Sequence, residues 1–270
     1  MLKILLYTDG MYFKPEILNF PAYLANITHT KIMEVYMDDM LNTALWYDQR
    51  TFVTLPGQIA ERERYEVIEK NFQKMQLEAD KKGILIRPFE DGTVTQEFLF
   101  KHMRYADLLL LDIHSLNNPS EDIVRFKFLR DILMYGECPV ILFSSNIDHI
   151  DEIIFGYNGT PSSVFAIKQF SYLFPALMDK PLRAIYAQET EKMQDKKLLI
   201  DWMNAHYMDA YYEETSEKLL NSFLTSYEQK KQIIGVMGSF GRSMLSQMLH
   251  KSEALHLMKM LPIPLFISHW

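Results

Sequence analysis

One arrangement repeats along this chain and leaves few folds open: short apolar runs of strand length alternate with amphipathic stretches of helical length, and the alternation starts again near the middle. Residues 3–8 form an apolar run closed by Asp9-Gly10, as expected of a strand buried on both faces. Further strands are predicted at 31–37, 84–89, 107–111 and 139–143, with helices at 15–28, 61–82, 96–105 and 120–135. Along 61–82, Tyr65, Ile68, Phe72, Met75 and Ala79 share one helical face, and Gly83 is placed to end that helix.

The second half repeats the order. Strands are predicted at 152–157, 182–187, 208–213, 233–237 and 263–268, and helices at 162–174, 196–206, 216–228 and 242–260. Ile4-Leu5-Leu6-Tyr7-Thr8-Asp9-Gly10 lines up with Ile153-Ile154-Phe155-Gly156-Tyr157-Asn158-Gly159, and Tyr36 and Tyr186 both fall near the ends of second strands. A length of 270 residues accommodates two domains with separate cores, and the repeat puts them at 1–147 and 148–270. The expected fold is α/β: two tandem, doubly wound, parallel five-stranded sheets of order 3-2-1-4-5 with helices on both faces. Such sheets bind ligands beyond the carboxyl ends of the first and fourth strands, where the order reverses. Asp9, Asn158 and the segment after Met237 fall there.

After the second half's fourth strand the chain reads Gly238-Ser239-Phe240-Gly241-Arg242-Ser243, followed by the long helix predicted at 242–260. Two glycines let main-chain N–H groups converge on an anion, and a helix N-terminus adds unpaired donors and partial positive charge. Phosphate suits such a turn. The same glycines would equally serve a tight strand-to-helix turn that only packs.

This segment resembles the universal stress protein family, whose ATP-binding members carry G-x2-G-x9-G-(S/T) across the same strand, loop and helix. Gly238 and Gly241 match the first two glycines and Ser252 the hydroxyl, while Lys251 stands in place of the third glycine. Residues 262–267, Pro-Ile-Pro-Leu-Phe-Ile, are similar to the family's closing strand. The resemblance implies a Rossmann-like fold of the adenine nucleotide α-hydrolase type and a regulatory, stress-response role. It also implies ATP or another adenine nucleotide, with Mg, in the second domain. By position it implies a nucleotide site of Asn158, Gly159, Tyr186, Gly238, Ser239, Gly241, Arg242, Ser243 and Ser252. Asn158 takes the place of the family's acidic residue after the first strand, and Tyr186 a base-contacting backbone position. Lys251 could pair with phosphate as a flexible point charge. The resemblance further implies an intrachain pseudo-dimer in which closing strands 139–143 and 263–268 face each other, and it leaves a homodimer of whole chains open.

The first half departs from this pattern. Asp112-Ile113-His114-Ser115-Leu116 follows its fourth strand, and no glycine occurs between Gly92 and Gly136. No phosphate site is expected there, and Asp9 is expected to cap the following turn or helix. The alternative for the whole chain is a scaffold that binds no nucleotide and recruits a partner protein.

An enzyme is not expected, beyond slow ATP hydrolysis. Neither Thr8-Asp9-Gly10-Met11 nor Asn158-Gly159-Thr160-Pro161 matches the S-G-G-x-D-S or H-x-G-H signatures of nucleotide-activating enzymes, and no base–nucleophile pair is positioned. His102 and His114 lie outside any metal-ligand spacing, so no metal site is expected. A formal net charge of −7 provides no general positive field for nucleic acid. The N-terminal apolar run is too short to span a membrane, which makes the cytoplasm the expected location. Cys138, the single cysteine, reads as a buried inert thiol. The methionines among 244–260 read as core, and residues 42–58 as a long irregular connection suited to a lid or contact surface.

Overall fold

The computed structural model describes residues 1–38, 61–88, 96–113, 122–143, 147–187, 195–215, 219–228, 232–238 and 263–268. The first half contains β1 (Ile4–Asp9), α1 (Asn19–Thr28, entered through a 3-10 turn Pro15–Leu18), β2 (Ile32–Asp38), α2 (Glu61–Lys81), β3 (Leu85–Pro88), α3 (Gln96–Met103), β4 (Leu108–Asp112), α4 (Asp122–Tyr135) and β5 (Val140–Phe143). The second contains β6 (Glu152–Tyr157), α5 (Pro161–Leu173), β7 (Leu182–Ala187), α6 (Lys196–His206), β8 (Ala210–Thr215), α7 (Leu219–Glu228), β9 (Ile233–Gly238) and β10 (Leu265–Ser268).

The strands form one sheet in the order β3-β2-β1-β4-β5-β10-β9-β6-β7-β8. Each half is a parallel 3-2-1-4-5 array, as the alternation predicts. The expected two sheets join as one because the closing strands pair antiparallel, Leu265 with Leu142, Phe266 with Ile141 and Ile267 with Val140. Pairing satisfies backbone groups that would otherwise form two open edges. Aromatic contacts back the seam on one face: Phe143 lies 5.6 Å from Phe20, and Phe266 lies 5.3 Å from Phe170 and 6.2 Å from Phe174.

Period-two alternation divides the core between the faces. Ile4, Leu6, Ile153 and Phe155 point toward α1, α2, α5 and α6. Leu5, Tyr7 and Ile154 point toward α3, α4 and α7. Tyr7 pairs with Tyr36 and Leu111, whereas its counterpart Gly156 pairs with Ile185 and Met237. Tyr36 is therefore equivalent to Ile185 and not to Tyr186, and the two tyrosines lie on opposite faces. At matching positions the halves use opposite charges: Lys3 is 3.4 Å from Glu34, and Arg183 is 3.1 Å from Glu152.

Local signals account for several boundaries. Gly83, at φ +71, supplies the left-handed residue that ends α2, and Ile84 N–H then donates back to Ala79 at 3.1 Å. The expected strand at 208–213 lies two residues later, at Ala210–Thr215. Leu182 N–H donates to Asp209 O at 2.8 Å, so the ladder begins where the exposed Met208 has been passed. This is an edge strand with one neighbour, and its weak burial pattern left little register to read.

Candidate functional site

Because β5 and β10 run antiparallel, the strand ends of the two halves open at opposite edges of the sheet. In the second half the switch point lies between β6 and β9, and the chain leaving β6 turns at once into α5. Asn158 Oδ1 accepts from Thr160 N–H at 3.2 Å and from Thr160 Oγ1 at 2.7 Å. Thr160 caps α5, its hydroxyl accepting from Ser163 N–H at 3.3 Å, with Pro161 at the first helical position. Gly159 has φ +76, and a Cβ built there would meet nothing within 4 Å. The Asn158–Thr160 segment is exposed.

Gly238 ends β9 against the start of α5. A Cβ there would lie 2.6 Å from the Ser162 carbonyl carbon and 2.7 Å from both its carbonyl oxygen and Oγ. Packing alone therefore demands this glycine, whatever its main chain also does. Asn158 and Gly238 thus stand at the ends of adjacent strands. Tyr186 sits within β7 rather than after it, opposite Tyr157 on β6 and Glu214 on β8, with its side chain buried.

Tyr186 belongs to a polar aromatic group that sequence reasoning missed. Its ring centroid is 6.2 Å from that of Tyr157. Lys196, at the start of α6, places Nζ 4.3 Å from the Tyr212 ring centroid and 2.8 Å from Glu214 Oε1. Burial raises the Tyr157 phenol above its ordinary range, and Asp195 and Tyr186 add to the effect. Tyr212 is raised for the same first reason, reinforced by Glu214. These residues come from four elements, β6, β7, β8 and α6, and only the packing of the sheet gathers them.

The first half is built differently at equivalent positions. Asp9 Oδ1 accepts from Met11 N–H at 2.8 Å, the turn-capping contact expected from sequence. Asn71 of α2 donates to Gly10 O at 2.9 Å and to Met11 O at 3.1 Å. Ile68 also lies against Gly10, 2.8 Å from where a Cβ would stand. The register that places Gly238 at the end of β9 places Asp112, 4% exposed, at the end of β4. Asp9 and Asp112, both buried, thus occupy the edge that in the second half carries an amide and a glycine.

Ser239, Gly241, Arg242, Ser243, Lys251 and Ser252 lie outside the described residues, as do the helix predicted at 242–260 with its methionines, His114 and the 42–58 connection. His102 sits 4.4 Å from Phe98 and 6.1 Å from Tyr36, ring to ring. Cys138 is buried, and desolvation pushes its thiol up to about 12, in keeping with an inert residue. Among the described residues no cluster of three metal-ligating side chains occurs, and no helix is long and apolar enough to cross a membrane.

No family model and no curated protein sequence matches the chain. Solved structures do. The chain is similar to a universal stress protein from Archaeoglobus fulgidus at 14% identity, over 99% of this chain and 98% of that one, with TM-score 0.66. It is similar to a candidate universal stress protein from Pseudomonas aeruginosa at 10% identity, over 99% and 93% of the two chains, with TM-score 0.59. A protein of unknown function from the same species aligns at 11% identity over 99% and 92%, with TM-score 0.55. At such identities the likeness is one of fold: the chain has the Rossmann-like α/β fold of the universal stress proteins across nearly its whole length.

Proposed function

We propose that the chain is a non-enzymatic regulatory module of the stress-response type, binding one adenine nucleotide, ATP with its Mg, at the strand ends of the second half. Asn158 and Gly159 after β6, Tyr186 on β7, Gly238 at the end of β9, and Ser239, Gly241, Arg242, Ser243 and Ser252 beyond it would hold it. The observation that carries this reading is the asymmetry at one register: Asn158 and Gly238 in the second half against Asp9 and Asp112 in the first. A strand that ends in glycine fits a polyphosphate against its main chain, and one that ends in a buried aspartate side chain does not. Calorimetric titration of the full chain with ATP–Mg tests it. One equivalent should bind, and Gly241→Arg should abolish binding. No binding at millimolar nucleotide eliminates the reading for ATP.

The contact between Gly238 and Ser162 favours a second reading, a scaffold that recruits a partner protein and in which the glycine serves packing alone. Under that reading, partner capture from the native cell survives Gly241→Arg.

A further inference from the structure

We propose that the two outer strands of the sheet form a docking pair between copies of this chain: β8 of one copy takes β3 of the next beside it, antiparallel, so that copies add head to tail. Among the described residues, β3 has only β2 as a neighbour and β8 only β7. The outer side of each therefore presents backbone donors and acceptors to a further strand.

Charge decides which edges meet. On the face that carries Leu5, Tyr7 and Ile154, the first half sets Lys3, Glu34 and Arg87 across β1, β2 and β3. Lys3 is 3.4 Å from Glu34, and Arg87 is the register partner of Glu34. The matching strip of the second half reverses the signs: Arg183 of β7 lies 3.1 Å from Glu152 of β6 and 3.4 Å from Glu213 of β8. Cations are thus in excess in the first strip and carboxylates in the second. Arg87 stands at the rim of one and Glu213 at the rim of the other, both exposed. Two residues before each, on the same face, stands an exposed apolar side chain, Leu85 at 48% and Tyr211 at 59%.

Pairing β3 with β3 of a second copy would crowd Arg87 against its own copy. Pairing β8 with β8 would crowd Glu213 and Glu214 against theirs, and like charges across a ladder destabilise it. Only β8 with β3 joins opposite charges. The halves run in opposite directions across the β5–β10 seam, so a second copy translated along the sheet meets β8 with an antiparallel β3 and keeps both helical layers in place. A contact between unlike edges leaves one edge open at each end, so growth does not close at two chains. β3 has four residues and ends in Pro88, which lacks a donor; the contact is short and the association weak.

Sedimentation of the full chain over a range of concentrations, without nucleotide, tests the pairing separately from the nucleotide reading. The weight-average mass should climb with concentration past two chains, and added salt should lower it. Arg87→Glu and Glu213→Arg should each weaken association about tenfold, because an attractive cross-strand pair becomes repulsive, and the double variant should regain most of the loss. Melts of each variant establish that it folds. A chain that stays monomeric, a mass that stops at two, an Arg87→Glu protein that associates like the parent, or a folded double variant as weak as the single ones overturns the proposal. Should Glu213→Arg not fold, Arg87→Glu is added in excess to labelled parent. It offers an intact β8 but no fitting β3, so it should cap growing chains, and undiminished growth of the parent overturns the proposal.

Discussion

Replacing Gly238 by alanine adds one methyl group where the end of β9 meets the start of α5. The new carbon would stand 2.6 Å from the Ser162 carbonyl carbon and 2.7 Å from its oxygen and Oγ, several tenths of an ångström inside ordinary van der Waals contact. Two of those atoms are main chain, in the first turn of a capped helix, so no rotamer change clears them. β9 cannot retreat, because it is paired with β6 on one side and β10 on the other. The strain therefore falls on α5, whose Phe170 is packed against Phe266 and Phe155. Overpacking of this kind costs about 2 kcal/mol, which corresponds to a fall in Tm of about 4–8 °C for a chain of this size. The melt is run without nucleotide, so that packing is read separately from any ligand. Ser162→Gly in the same background removes only the Oγ contact and should restore less than half of the loss. A Gly238→Ala protein melting within about 1 °C of the parent would refute the reasoning, since the helix start would then move without cost.

Asn71→Ala should destabilise the first half by about 1–3 kcal/mol, because Gly10 O and Met11 O each lose the amide that now serves them; a urea midpoint measures it, and no change would mean that water replaces Asn71 there. Cys138 should react with a thiol reagent at pH 8 only as fast as the chain unfolds, since burial pushes its thiol up to about 12; prompt modification would contradict its burial. The same residue makes stability fall at alkaline pH: the unfolded thiol ionises from about 8.5 upward while the native one stays protonated, and Cys138→Ser should flatten that decline between the two values.

The architecture was legible because both kinds of period are strong. Leu108–Leu111 and Ile4–Leu6 are apolar on successive residues, which only a strand buried on both faces sustains, and the 61–82 segment carries a clear helical stripe. Strength on both faces also hid something. The like side chains of Tyr36 and Tyr186 drew the alignment one residue off the true match of Tyr36 with Ile185, which the charged residues Glu34 and Arg183 mark. β8 slipped by two residues for the opposite reason, its weak pattern of alternate exposure. Of the candidate site, Asp9 as a turn cap and the contrast between Asp112 and Gly238 could be read from order alone. The grouping of Tyr157, Tyr186, Tyr212 and Lys196 could not, since it depends on three adjacent strands and a helix start meeting in space. Nor could the direction of the Asn158 amide, which two hydrogen bonds from Thr160 decide.

The central claim is that the second half's strand ends, and not the first's, hold an acidic ligand. A crystal structure of the full chain with ATP–Mg tests it most directly. The account predicts triphosphate density against residues 238–243 and none between Asp9 and Asp112. Side chains closed over the Gly238 turn, or nucleotide at the first-half edge, would contradict it.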